Sequence, residues 1–225
     1  MTSGSKKTKK LTMLAMLCAI SYVAILLGKL IPPMIPIAPF LTYDPKDIII
    51  AIGGFIFGPL SVVAVATVVS TIEMLTISST GVIGLVMNVL STCAFACTAA
   101  LIYKKKHTLS GAVIGLITGT IVSTVIMVLW NYLLTPLYMG VPRQAVVDIL
   151  VPAILPFNLI QGGLNTALTL IIYKPLVTAL RKIHLIESAN EAVTVKKNNK
   201  IGLMLFSFLL LATCIMVILA LQGKL

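Results

Sequence analysis

Residues 6–31 read KKTKKLTMLAMLCAISYVAILLGKLI, a cluster of lysines followed by an apolar run, 11–31, interrupted by charge only at Lys29. At 1.5 Å per residue, a helix of that length reaches across roughly 30 Å of hydrocarbon. Its length and the further spans behind it predict a retained first transmembrane helix and not a cleaved signal. Lys and Arg collect at the cytoplasmic ends of such helices, so residues 1–10 are expected to form a basic cytoplasmic amino terminus. The pattern repeats along the chain. Most of its 17 Lys and Arg residues fall in 6–10, 104–106 and 174–200, separated by long stretches almost free of charge. These tracts predict one common face of a bilayer, whereas Lys29, Lys46, Arg143 and Lys224 lie near helix ends or in expected outer loops. A hydrophobic content of 59%, a mean hydropathy of +1.09 and only 6 acidic residues exclude an ordinary soluble domain. The net charge of +11 does not imply nucleic-acid binding, because it is divided among helix flanks with no interleaved aromatic platform for stacking bases.

Punctuation between the apolar runs gives the expected architecture. Pro32, Pro33, Pro36 and Pro39 forbid a regular helix after the first span. A short span over 47–57 ends at Gly58-Pro59, a third covers 60–77, and Ser78-Ser79-Thr80-Gly81 turns the chain into a fourth, 82–103. A fifth runs over 109–134, an outer segment covers 135–150, and a sixth descends from 151 to 173 or beyond, closed by Lys174, Arg181 and Lys182. Residues 183–200 mix Glu187, Glu191, Asn190 and Asn198 with lysines and read as a cytoplasmic linker, behind which 201–225 carries an extra C-terminal transmembrane helix. The expected fold is an all-α integral membrane protein: a six-helix domain over 11–182 plus that additional helix, with the amino terminus inside and the carboxyl terminus outside. No internal repeat indicates the matching halves of many secondary transporters.

Polar side chains inside such spans carry the chemical information, because each costs free energy unless it finds a partner, water or a ligand. They are Glu73 in the third helix, Asn88 in the fourth, Asn131 in the fifth, and Asn158, Gln161 and Asn165 in the sixth. Spacings of three and four place the last three on one helix face. Neutral amides suit a flat heterocycle or a polyol; the alternative is hydrogen bonding between helices, about 1 kcal/mol or less per contact. Glu73 has three open roles: pairing with an outer-loop Lys, accepting from a ligand hydroxyl, or carrying a proton. A proton relay through it would lack a second intramembrane carboxylate. His107 and His184 stand beside basic tracts, and no catalytic cluster or nucleotide-hydrolysing loop is present, so the chain reads as a non-enzyme whose ATP coupling must come from partners. Cys18, Cys93, Cys97 and Cys214 lie in apolar runs; Cys93 and Cys97 share a face, but no nearby His or carboxylate completes a metal site. Ala15-x-x-x-Ala19 leaves a shallow groove for another helix, and Gly111-x-x-x-Gly115-x-x-x-Gly119 predicts a seam within the bundle.

Several motifs converge: Ala15-x-x-x-Ala19, the proline-rich loop leading to Phe40-Leu41-Thr42-Tyr43-Asp44, and Phe55-x-Phe57-Gly58-Pro59. With Asn131-Tyr132-x-x-x-Pro136-Leu137-Tyr138 and Pro156-Phe157-Asn158-x-x-Gln161-Gly162, the chain resembles the riboflavin-specific S components of energy-coupling factor (ECF) transporters over about residues 10–182. The resemblance implies the substrate-binding subunit of an ATP-driven vitamin importer in a bacterial plasma membrane. It would capture riboflavin at the outer face, associate with a transmembrane coupling subunit and two ATPase subunits, and topple to release its cargo inside. Riboflavin is then a transported ligand, ATP is used by the partners, and no resident cofactor is implied. Carried onto this sequence, Ala15 and Ala19 would contact the coupling subunit. Thr42, Asn131, Asn158 and Gln161, joined by Asn88 and Glu73, would form the vitamin site, with Phe40 and Leu41 covering the isoalloxazine ring and their loop acting as a lid. Two departures stand out. Gln161 occupies a position where members often carry Lys, which bears on the choice between riboflavin and its phosphorylated form, FMN. The seventh span lies outside the six-helix pattern. The competing readings are an S component for another vitamin, such as thiamine, and a secondary transporter driven by protons through Glu73.

Overall fold

The computed structural model describes residues 3–38, 40–78, 80–182 and 197–224, and every regular element among them is helical. In chain order these are α1 (Ser3–Gly28), α2 (Lys46–Phe57), α3 (Pro59–Thr76), α4 (Gly81–Thr92), α5 (Thr98–Lys106), α6 (Leu109–Met139), α7 (Arg143–Ile149), α8 (Leu155–Lys182) and α9 (Lys197–Leu221). A π-helical turn, Cys93–Cys97, joins α4 to α5 into one rod, and another, Leu150–Ile154, joins α7 to α8. Six segments are long and apolar enough to cross a membrane: Lys7–Gly28, Pro59–Thr76, Gly81–Lys106, Leu109–Leu137, Arg143–Tyr173 and Gly202–Leu221. The protein is therefore a multi-pass membrane protein of all-α fold.

The helix ends follow local chemistry. Gly58, at φ +88°, reverses the chain between α2 and α3, and Pro59 fills the first helical position of α3, where a missing N–H costs nothing. Thr108 caps α6 by accepting from the Gly111 amide at 3.0 Å. The glycine motif on α6 acts inside the bundle: a Cβ on Gly115 would lie 2.8 Å from the Ala99 carbonyl oxygen, and one on Gly119 2.5 Å from that of Phe95. Only glycine lets α6 approach the α4–α5 rod so closely.

One expectation needs correction. The segment 135–150 is almost wholly helical, because α6 continues to Met139 through Pro136 and α7 starts at Arg143. Pro136 sits so near the helix end that little is lost downstream, and the π turn 150–154 accommodates Pro152, whose ring and missing donor do not fit a regular α-helix. The second predicted span is α2, 12 residues and so about 18 Å long. Its Ile48, Ile50, Ala51, Ile52 and Phe55 are buried among neighbouring helices, so it needs no lipid face.

One core surrounds α2, with Ile50, Phe55, Val62, Phe95, Leu116 and Leu170 packed together. At the end marked by Lys104, Lys105 and Lys106, the Phe55 and Tyr103 rings pack tilted with 4.6 Å between centroids, and the Tyr103 and Tyr173 hydroxyls are 2.9 Å apart. At the opposite end, a second core joins Met34, Ile35, Ala38 and Tyr43 of the proline-rich loop to Ala153, Phe157, Ile160 and Leu164 below it, with Cys214 of α9 alongside. Of the linker expected over 183–200, residues 183–196, including His184, lie outside the described residues, and the remainder opens α9.

Candidate ligand-binding cavity

At the proline-loop end the helices part around a cavity of about 370 Å³. Phe40, Leu41 and Thr42 of the loop line it, together with Glu73 of α3, Asn88 of α4, Asn131 of α6, and Asn158 and Gln161 of α8. Ile25, Ile83, Met87, Met127 and Phe157 add apolar wall. A cavity of that size with convergent polar groups is typical of a small-molecule site, and here polar and charged side chains outnumber the apolar ones.

Its α6 and α8 wall is made of amides held within their own helices. Asn131, 2% exposed, donates from Nδ2 to the Met127 carbonyl at 2.8 Å and accepts from the Thr135 hydroxyl at 2.8 Å. Asn158 donates from Nδ2 to the Ile154 carbonyl at 2.7 Å, which fixes its rotamer and leaves Oδ1 as the acceptor toward the cavity. Gln161 Oε1 is buried without a hydrogen-bond partner among the described residues. Such an orphaned acceptor costs about 1–3 kcal/mol.

The opposite corner is charged. Lys46, at the first turn of α2, is 1% exposed and pairs with the Asp44 carboxylate and, at 3.5 Å, with Glu73 Oε2. Asn88 Nδ2 donates to the same Glu73 oxygen at 3.0 Å, and the Thr92 hydroxyl donates to Asp47 Oδ1 at 2.6 Å. Lys29, on the rim, donates to the Ile77 carbonyl at 3.1 Å. Of the three roles open to Glu73, the pairing with Lys is therefore realised, and its oxygens still face the cavity. Sequence reasoning missed Lys46, set near a helix end or an outer loop, and although Asp47 opened the second predicted span it was not counted as a second intramembrane carboxylate. Asp47 is 3% exposed, so that count is corrected.

Asn165 does not line the cavity. It accepts from the Tyr43 hydroxyl at 2.8 Å and lies 3.5 Å from the Asp44 carbonyl, tying the loop to α8. Burial pushes the Tyr43 phenol well above its ordinary range, so it remains a donor. Ala15 and Ala19 are remote from the cavity: Met13, Leu17, Ser21 and Ile25 of α1 turn inward, and the two alanines are exposed on another face.

Residues 9–173 match the model of the family described as "ECF transporter, substrate-specific component". The chain belongs to this family. The S component is 33% identical over 184 residues to the riboflavin transporter RibU of Staphylococcus aureus (strain TCH60), a match covering 79% of this chain and 95% of that protein. It is 30% identical over 191 residues to the riboflavin transporter FmnP of Bacillus subtilis (strain 168), covering 80% and 99%. A solved S component of a bacterial ECF transporter superposes with a TM-score of 0.66 at 33% identity, covering 78% of this chain and 99% of that one. The family match stops before α9, so the seventh span is an addition to the S-component body.

Proposed function

We propose that this S component captures riboflavin in the cavity between α4, α6 and α8 and the proline-rich loop, and delivers it inward with a transmembrane coupling subunit and two ATPase subunits. The observation that carries the reading is the amide wall: the Asn158, Gln161 and Asn131 side chains all line the cavity and offer acceptors and donors to the polar edge of a flat ring. Phe40, Leu41, Met87 and Phe157 cover its faces, and the Glu73 and Asp44 carboxylates accept from ribityl hydroxyls. The similarity to two riboflavin transporters supports the same substrate. The contacts of Glu73 with Lys46 and Asn88 favour this binding role over proton transfer.

In this scheme residues 11–182 are the substrate-binding domain, 1–10 and 183–200 are cytoplasmic, and the cavity opens to the outside of a bacterial plasma membrane. Ala15 and Ala19, exposed four residues apart on α1, form the contact with the coupling subunit.

Fluorescence titration of purified, ligand-stripped protein tests the substrate. Saturable quenching of riboflavin, weakened about tenfold or more by Asn158→Ala, is expected for the loss of a buried hydrogen bond. A folded protein that binds thiamine or FMN in preference to riboflavin would overturn the assignment.

A further inference from the structure

The added helix touches the part of the protein that closes the cavity. One stripe of α9 faces the body: Ser207 and Cys214 are buried, and Leu210, Leu211 and Ile218 are partly buried against α8 and the loop. Their spacing is that of one helix face. The opposite face, with Leu205, Phe208, Leu209 and Met216, is exposed.

Two features fix the seat of α9. A Cβ on Gly163 would lie 2.8 Å from Cys214 Sγ, so the bare backbone of α8 admits α9 at that point. At the far end, Gln222 Nε2 donates to the Pro33 carbonyl at 3.3 Å. Lipid is as apolar as leucine, so apolar contact gives α9 little reason to choose α8 over the bilayer. Close approach and the polar tie decide the position. The segment held is the start of the loop whose later residues, Phe40, Leu41 and Thr42, line the cavity, and whose end is pinned by Tyr43 to Asn165.

We infer that α9 is a brace for the proline-rich loop, with Gln222 a positioning residue that acts through Pro33 to hold the cavity-lining residues in place and so sets how fast ligand enters and leaves. The kinetic half of this inference rests on the riboflavin reading; the structural half does not.

The test uses full-length protein carrying Gly163→Leu, Gln222→Ala or Gln222→Glu, the last keeping shape without the donor. Backbone hydrogen exchange over residues 33–38 is read first, without ligand. It should accelerate about tenfold in Gly163→Leu and two- to threefold in both Gln222 variants. Riboflavin association and dissociation should then both quicken by about fivefold in Gly163→Leu, with the equilibrium affinity changing less than either rate. A purely structural role would lower thermal stability without this matched change in the two rates. Should Gly163→Leu fail to fold, the Gln222 pair carries the test. Unchanged loop exchange in both Gln222 variants, or in a Gly163→Leu protein whose α9 amides have lost protection, overturns the brace. Altered exchange without riboflavin binding leaves the brace standing and removes the substrate reading.

Discussion

Along the α6 and α8 wall of the cavity, Asn131 and Asn158 bond to carbonyls of their own helices, whereas in the corner around Lys46, apart from the local pairing with Asp44, the contacts of Lys46, Glu73, Asn88, Asp47 and Thr92 join different helices. The wall can lose a side chain without unfastening two helices. The corner cannot, because Lys46, Glu73, Asn88, Asp47 and Thr92 fasten α2 to α3 and α4. Both line the same space, so the difference separates groups poised for a ligand from groups that also maintain the fold.

The largest effect should come from Lys46→Met, which strands the Asp44 and Glu73 carboxylates in a buried site and costs about 3–5 kcal/mol in detergent unfolding. Adding Glu73→Gln to that variant should recover part of the loss, and strict additivity would show that the pair is not coupled. Thr92→Val removes the donor to Asp47 and should cost about 1.5–3 kcal/mol by the same measurement. On the amide wall, Asn158→Ala should alter unfolding by less than about 1 kcal/mol while weakening riboflavin binding at least tenfold. A large loss of stability there would erase the distinction between the two regions. The smallest change in stability is expected for Gln161→Leu, which replaces an orphaned acceptor by an apolar group of similar shape. It should leave the unliganded protein unchanged or slightly more stable, while titration shows weaker riboflavin binding.

The apolar runs, the lysine tracts and the Gly58-Pro59 break made the helices and their order readable, since membrane insertion constrains composition so tightly. The helicity of 135–150 was hidden because Pro136, Gly140, Pro142 and Pro152 all read as breakers, and a π turn that absorbs a proline leaves no local signature. The amides of α8 were legible as one face, but depth along the helix was not. Asn165 lies seven residues beyond Asn158, roughly 10 Å further down the axis, and so anchors the loop from below the cavity. Lys46 and Asp47 escaped notice because charges at a helix start ordinarily meet water. Their burial follows from how neighbouring helices rise past the short α2, which no window of sequence contains.

Beneath that charged corner, α2 descends toward Phe55, whose ring interlocks with those of Tyr103 and Tyr173. Among the described residues, the space beneath Lys46 and Glu73 leads into packed core side chains and these three aromatic rings. Passage through the bundle would require prising this packing open. On the proposed function, movement of the whole subunit with its cargo aboard would leave those contacts undisturbed, as in a vessel and unlike a conduit.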